Sequence, residues 1–589
     1  MVSLAGLPQA KAGEPRHAIA MHGTPKEAAG FTHFSYVDRL APKGGRITIG
    51  MPGSFDSVNP LIVKGNAAAG LREYVYETLL ARGLDEPFTL YGLVARSVEM
   101  PDDRREIIFN IDERARFSDG KAITADDVLF SWQLLRDKGR PNHRAYYAKV
   151  LKAERLSQYR VRFEMSGEDR ELPLILGLMP VLPKHTIDTA TFDQTTLAAP
   201  VGSGPYTVER VDPGRSITFK RNPAYWGGDL GVNKGRFNFD EVRFEYYRDG
   251  VAMFEAFKSG DIDFWNEEDP ARWAAGYDVA AVKDGRIKRA EFDIALPAGM
   301  TALVFNTRRK VFADANVRRA LIHLFDFEWV NRNLYHGLYR RTQSFFERSM
   351  LSSHGKVADP VETALLAKHD GAVRPEVLAG THSFPVSDGS GQDRTNLRAA
   401  FDLLRQAGYE LKNQRMVDAK TGSPLTFEVL ATSVAQERLV GGFIGTLSRL
   451  GIAARVRVVD SAQYQQRLNS YDYDMIQATW PSSLSPGNEQ IFRWDSRMAR
   501  QDGTYNWAGV VNPAADAMIQ AMLAARDKDE FIAATRALDR VLLSGDYVIP
   551  LFHLPRQWVA HWSRYDYPEK APLAGYNIDI WWQKSETPR

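Results

Sequence analysis

The stretch "FIGTLSRLGIAARVRVVD", residues 443–460, changes its hydrophobic period part-way along. Up to Leu450 the apolar residues recur at helical spacing, and Gly451 supplies a stop. Beyond it Ile452, Ala454, Val456 and Val458 alternate, as residues sharing one face of a strand must. A helix that ends on glycine and runs into a strand is the α/β unit. The same logic recurs in "DANVRRALIHLFDF", where Val317, Leu321, Leu324 and Phe325 form one face behind the candidate cap Asp314. It recurs again in "TNLRAAFDLLRQAGY", with Leu397, Phe401 and Leu404 as the stripe and Gly408 as the stop. Several copies between residues 300 and 480 therefore commit that part of the chain to an α/β lobe.

At 589 residues the chain is far longer than one domain of roughly 100 to 200, so at least two lobes are expected. Earlier in the chain "TADDVLFSWQLL" carries a capping box, Thr124 with Asp127, ahead of Val128, Trp132 and Leu135 at helical spacing. "YTVERVDPGRSITFKRN" predicts a hairpin turning on Asp212, Pro213 and Gly214, and "GGRITIGMPG" a short strand. The first ~35 residues show no period and are expected to form an irregular arm. Residues 352–394, rich in Gly, Ser, Asp and His, are expected to be a long surface connection.

Charge and composition exclude several classes of function. Lys and Arg number 75 against 73 Asp and Glu, which leaves a formal charge of +2 and no field that would draw nucleic acid or a membrane surface. No cysteine occurs, so disulfides, thiolate nucleophiles and lipid-modified cysteines are ruled out. The absence suits an oxidising compartment. The longest apolar run, "LPLILGLMPVLP", is broken by prolines and falls short of the ~20 residues of a spanning helix. The N-terminus lacks the basic and apolar regions of a secretory signal, and Met1 is taken as a start placed after a removed one.

Patterns for catalysis are missing: there is no Walker loop, G-x-S-x-G, H-E-x-x-H, EF-hand loop or dinucleotide fingerprint. His17, His22 and His33 lack paired ligand spacing and are expected at the surface or in packing, not on a metal. Glu267, Glu268 and Asp269 are adjacent in sequence, so their side chains diverge, and a solvated loop is expected. No catalytic residue, cofactor or metal is assigned. What stands out is aromatic residues in loops, "NPAYWGG", "TQSFFER", "ATWPSS" and "YNWAGV", each beside small or polar neighbours. Such loops suit a cleft that recognises a ligand by stacking and hydrogen bonding, although rings that plug a loop onto a core would give the same pattern.

"APKGGRITIGMPGSFDSVNPLIVKGNA", "ARFSDGKAITADDVLFSW", "VGSGPYTVERVDPGRSITFKRNPAYWG", "AMFEAFKSGDID" and "FNTRRKVFADANVRRALIHLFD" together resemble the large solute-binding proteins of peptide and nickel ABC importers, family 5. "GEPRHAIAMHG", "NKGRFNFDEVRFEYYRDG", "FDFEWVN", "RTQSFFERS" and "NIDIWW" are similar to the YejA type, which serves oligopeptide and microcin C uptake. The resemblance implies an α/β fold of two lobes hinged around a ligand, the large cluster C type of periplasmic binding protein, with an extra subdomain in the first lobe. By analogy residues 1–35 are the arm, 36–65, 186–295 and 546–589 lobe I, 66–185 the inserted subdomain, and 296–545 lobe II. It also implies a periplasmic monomer, partnered by an oligopeptide or peptide-like ligand and by an inner-membrane ABC permease, with no nucleic acid.

Ligands of α/β sheets lie at strand ends. On that ground the candidate contacts in lobe I are Phe55, Asp56, Asn59, Asn66, Ser203 and Gly204, where glycine would let backbone approach the ligand. In lobe II they are Asn306, Arg341, Gln343, Ser344, Phe345, Trp480, Ser482, Ser483, Asn506 and Trp507. Arg341 is a candidate for a carboxylate or phosphate, and Trp480 for a stacking face. Oligopeptide-binding relatives carry an aspartate three residues past this tryptophan, which pairs with the peptide's ammonium. Here that position is Ser483, and the next carboxylate is Glu489. The expectation is a binding protein for oligopeptides, N-blocked peptides or microcin C-like peptide-nucleotides, with Glu489 or Asp56 as alternative anchors for a free amine. An oligosaccharide ligand on the same fold is the alternative, and a hydrolase a third reading without a supporting constellation.

Overall fold

The computed structural model describes residues 13–585. The chain divides into two compact units. One holds the chain through Glu268, Tyr277–Asp293 and Gln557–Arg589; the other holds Asp269–Gly276 and Ile294–Arg556.

The first unit is organised by a seven-stranded mixed sheet. Its order is Ile287–Asp293, Arg556–Trp562, Phe264–Glu267, Arg46–Pro52, Glu241–Tyr247, Ser216–Arg221 and Tyr206–Asp212. Arg46–Pro52 runs parallel to both its neighbours and buries Ile47. Such central placement fits its short β-branched sequence. The predicted hairpin forms: Tyr206–Asp212 and Ser216–Arg221 pair antiparallel, with Gly214 in the left-handed region at φ 72°. A second, four-stranded antiparallel sheet, Ala95–Glu99, Glu106–Ile111, Arg160–Met165 and Val150–Ser157, is covered by the helix Ala125–Lys138. Thr124 donates its backbone N–H to Asp127 Oδ2 at 3.0 Å, so the capping box starts that helix as expected. Val128, Trp132 and Leu135 are buried with Phe109 and Phe163.

From residue 13 onward the arm is more ordered than its sequence suggests; its first twelve residues lie outside the described ones. Ala18–Ala20 pairs antiparallel with Thr89–Gly92, and the buried Arg104 guanidinium donates to the carbonyls of Ala20 (3.0 Å), Met21 (2.9 Å) and Arg170 (2.6 Å). Three residues are too few to show a strand period. Glu267 also departs from expectation. It is 1% exposed at the end of its strand and accepts from Trp265 Nε1 at 3.0 Å and Tyr277 Oη at 2.9 Å, so the solvated-loop reading is corrected there.

The second unit contains a five-stranded sheet in the order Ala453–Val458, Thr426–Ala431, Met475–Trp480, Met300–Phe305 and Val548–Pro550. The helix Val434–Arg449 links the first two strands, which run parallel, and Gly451 takes φ 71° at the predicted stop. Because Ala453–Val458 lies at the sheet edge, its alternation is only half-buried, and Val458 is exposed. Asp314 caps Ala315–His323 by accepting from Asn316 N at 2.7 Å. Leu324 and Phe325 are buried just beyond that helix. Gly408 takes φ 86° after the helix Arg394–Gln406, where Leu404 is fully buried and Leu397 and Phe401 partly so.

Two expectations change in this unit. Residues 546–556 lie in it, and the physical reason is strand pairing: Val548 and Ile549 sit opposite Val304 and Leu303. Residues 352–394 are not merely a surface connection. They form the short helices Pro360–Leu366 and Pro375–Leu378, and Leu366, Val377 and Phe384 join the core. Pro at each first helical position and the Asp359 cap are helix-start signals, but helices of 7 and 4 residues are too short to show a hydrophobic period, so the stretch reads as loop.

Candidate functional site

The strand Met475–Trp480 ends beside the start of Met300–Phe305, with Trp480 opposite Met300 and Thr479 opposite Thr301. The two threonine hydroxyls lie 3.1 Å apart. Past Trp480 the prolines at 481 and 486 and the Gly at 487 prevent the strand from continuing. The indole of Trp480 does not face outward. It is 2% exposed, wedged between Trp494 (ring centroids 4.6 Å), Trp507 (5.1 Å) and Phe345 (6.3 Å), with Nε1 donating to Tyr505 O at 3.0 Å. Two neighbouring rings are more open: Trp507 is half-buried, and Tyr505, 54% exposed, stands edge-on to it at 5.7 Å. Sequence reasoning quoted the Tyr505 loop but passed over the tyrosine itself.

In the loop, Ser482 Oγ is buried and has no hydrogen-bond partner, while Ser483 Oγ accepts from Ser485 N at 3.2 Å. Both Glu489 oxygens accept from Gly487 N, at 3.1 and 3.0 Å, and Gln490 Nε2 donates to Oε1 at 3.0 Å. The nearest carboxylate in sequence is thus engaged at its own helix start. Arg493 Nη1 holds Pro481 O at 2.7 Å, and burial lowers its pKa.

Other candidates in this unit are held by the protein itself. Asn306 donates to Tyr471 O (3.0 Å) and Tyr473 O (2.8 Å) and is fully buried. Asn506 donates to Asp495 O (3.2 Å) and Val510 O (3.0 Å). Ser344 Oγ donates to Asp539 Oδ2 at 2.8 Å, and that carboxylate also takes Phe345 N at 2.9 Å and Ser353 Oγ at 2.7 Å. Burial raises the Asp539 pKa, and these three donors together with Ser353 N, at 2.9 Å, oppose the rise. Gln343 Oε1 accepts from Phe384 N at 3.0 Å. Arg341, 8% exposed, donates through Nη1 to Pro385 O and lies near the rings of Phe327 and Phe384; Nε and Nη2 have no partner. Burial lowers its pKa to about 10, against the pull of Glu328 and Asp326.

In the first unit, Asp56 and Asn66 close one turn: Asp56 Oδ1 accepts from Asn66 N at 2.6 Å, and Asn66 O accepts from Asp56 N at 3.0 Å. Both are exposed. Phe55 is buried against Tyr246, ring centroids 5.0 Å apart. Asn59 is turned elsewhere, with Nδ2 on Phe192 O at 2.9 Å. Ser203 Oγ accepts from Glu77 N at 3.3 Å. Gly204 is a packing glycine, since a Cβ there would lie 2.3 Å from Tyr74 O. The aromatic pair of "NPAYWGG" likewise plugs the core: Tyr225 Oη and Trp226 Nε1 both donate to the buried Glu77 carboxylate, the latter at 2.9 Å. Burial pushes the Glu77 pKa up to about 8 despite these two donors.

The profile of the bacterial extracellular solute-binding proteins, family 5 Middle, matches residues 89–499. The chain belongs to family 5 of the solute-binding proteins. It is 46% identical over 585 residues to the peptidoglycan-binding protein YepA of Agrobacterium fabrum, covering 97% of this chain and 95% of that one. It is 36% identical over 575 residues to YejA of Escherichia coli, covering 98% and 94%. Its fold is that of the two-lobed periplasmic binding proteins. The oligopeptide-binding protein AppA of Bacillus subtilis, solved with a nonapeptide, superposes with a TM-score of 0.61 at 20% identity, covering 92% of this chain and 100% of that one. Among the described residues no helix is long and apolar enough to cross a membrane.

Proposed function

We propose that this family 5 protein is the periplasmic receptor of an ABC importer and captures peptides whose amino terminus carries no charge. One observation carries the reading. Three residues after Trp480, where an ammonium-binding carboxylate would be needed, stands Ser483; beside it Ser482 Oγ is buried and unpartnered, and Glu489 is engaged by Gly487 N–H. A buried hydroxyl without a partner costs about 1–3 kcal/mol, which a neutral amide or sugar group of a ligand can recover. An ammonium would enter without a compensating charge.

Cell-wall muropeptides are the ligand class that fits best. Their stem peptide is acylated at its amino terminus by a sugar acid, and the Tyr505 ring beside Trp507 suits the face of a pyranose. The name of the Agrobacterium relative supports the same class. Microcin C-like peptide-nucleotides share the blocked terminus. The receptor acts as a monomer, leaves the ligand intact and hands it to an inner-membrane permease.

Calorimetry with one peptide in free and N-acetylated forms, and with a muramoyl peptide, tests this. Affinity for the acetylated form should lie within tenfold of the free form, and the muramoyl peptide should bind at least as well. A loss above tenfold on acetylation overturns the neutral-terminus reading. Binding to oligosaccharides alone overturns the peptide reading.

A further inference from the structure

Glu489 and Arg493 stand four positions apart in the helix Glu489–Trp494, the spacing at which opposite charges pair on one helix face. They do not pair. Both Glu489 oxygens turn back to Gly487 N, and Arg493 Nη1 reaches across to Pro481 O at 2.7 Å. Among the described residues no carboxylate forms an ion pair with this guanidinium, whereas Arg497, the next cation along, is committed to Asp495 at 2.8 Å. Arg493 Nε and Nη2, the edge that can grip both oxygens of a carboxylate, have no partner in the protein and are not buried.

Three hydrogen bonds close a frame around that edge. Trp480 Nε1 donates to Tyr505 O at 3.0 Å, Tyr505 N donates to Phe492 O at 3.0 Å, and Arg493 returns to Pro481 O beside Trp480. The guanidinium, the exposed Tyr505 ring and the serines at 482 and 483 are thereby held together, all inside the second unit. Arg493 is half-buried, and burial lowers its pKa against the pull of Glu489 and Tyr505. A partly desolvated cation without a counter-ion gains more from an incoming anion than a fully hydrated one does. Residues 480–492 contain no lysine or arginine, so the single guanidinium matches the single charge of a carboxylate better than a phosphate dianion.

We propose that Arg493 is a specificity-determining residue of this site and grips a carboxylate that the ligand carries on the first or second residue from its blocked amino terminus. The inference rests on the peptide reading above and adds an acidic side chain to the ligand class. Its place near the terminus follows from the tether, because Arg493 is bonded to Pro481, which directly precedes the serines proposed to meet that terminus.

The probes are N-acetyl-Glu-Ala-Ala and N-acetyl-Ala-Glu-Ala, each paired with its glutamine counterpart, titrated by calorimetry against the full chain. At one position or both, the glutamyl peptide should bind about 5- to 20-fold more tightly than the glutaminyl one, the worth of a partly buried charge-assisted pair. Arg493→Met keeps the stem and removes the charge, so that ratio should fall to about one. A tether to Pro481 and nothing more would weaken both members of a pair alike and leave the ratio where it was. Arg493→Lys keeps the charge without the fork and should give an intermediate ratio. Circular dichroism reports whether each variant is folded, and the wild-type ratio decides even where one is not. A ratio near one for both pairs in the wild type, or a ratio retained in folded Arg493→Met, overturns the proposal alone, since all four peptides carry the same acetyl block. Failure of all four to bind overturns it together with the peptide reading.

Discussion

Arg540 Nε donates to Glu362 Oε2 at 2.5 Å, and neither side chain is exposed. The pair joins the helix Lys528–Ser544 to Pro360–Leu366, and the guanidinium also reaches Val377 O and Lys356 O. Burial raises the Glu362 pKa while Arg540 pulls it down. Removing one member strands a buried charge, which costs about 3–5 kcal/mol; replacing both by apolar residues removes that penalty. Arg540→Met should therefore lower the urea midpoint of the second unit sharply, and adding Glu362→Leu should restore much of it. A double variant no better than the single would show that the penalty is lost packing, not the stranded carboxylate.

The Glu77 carboxylate gives the first unit a pH dependence of defined sign. Its folded pKa, about 8, exceeds the ordinary value of 4.5, so the folded state holds this proton more tightly than the unfolded chain. The corresponding stability is complete below about pH 4.5 and is lost as pH rises through about 8, a matter of a few kcal/mol. Urea midpoints measured from pH 5 to pH 9 should fall, and Glu77→Gln should flatten the slope. An equal slope in the variant would assign it to another group.

Ser483→Asp should convert the preference of the receptor. Placing a carboxylate three residues after Trp480 offers an ammonium a charge-assisted hydrogen bond worth roughly 1.5–3 kcal/mol. Affinity for a free peptide should rise about tenfold or more relative to its acetylated form. Calorimetry that shows no change in that ratio would mean the ligand terminus lies elsewhere.

Gly204 is set by space. A Cβ there would lie 2.3 Å from Tyr74 O and 2.9 Å from the carbonyl carbons of both Tyr74 and Val75. Backbone cannot yield as a side chain tip can, so Gly204→Ala should cost about 1–3 kcal/mol and lower the thermal midpoint of the first unit. A midpoint within error of wild type would refute the packing role.

Elements with a local cause were legible in the sequence. Thr124 with Asp127, Pro213–Gly214 and Gly451 act through their own backbone, and each forms as its neighbours dictate. Elements defined by distant partners were not. The strand Ala18–Ala20 exists because Thr89–Gly92 and Arg104 meet it, and Glu362 is buried because Arg540 arrives from 178 positions away. The site shows the same division. Sequence placed an aromatic and two serines at the mouth of a loop, but whether Trp480 or Tyr505 shows its face depends on Trp494 and Phe345 packing behind it.

In both sheets a strand near the C-terminal end of the chain completes the pairing. Arg556–Trp562 lies between Phe264–Glu267 and Ile287–Asp293, and Val548–Pro550 pairs with Met300–Phe305. Neither unit can finish its sheet until almost the whole polypeptide has been synthesised, so the contacts that stabilise each unit span long stretches of sequence and form slowly. The core around the four-stranded sheet, Ile19 to Phe192, is by contrast complete in sequence after the first third of the chain, so one part of the first unit has its packing partners long before either larger sheet can close.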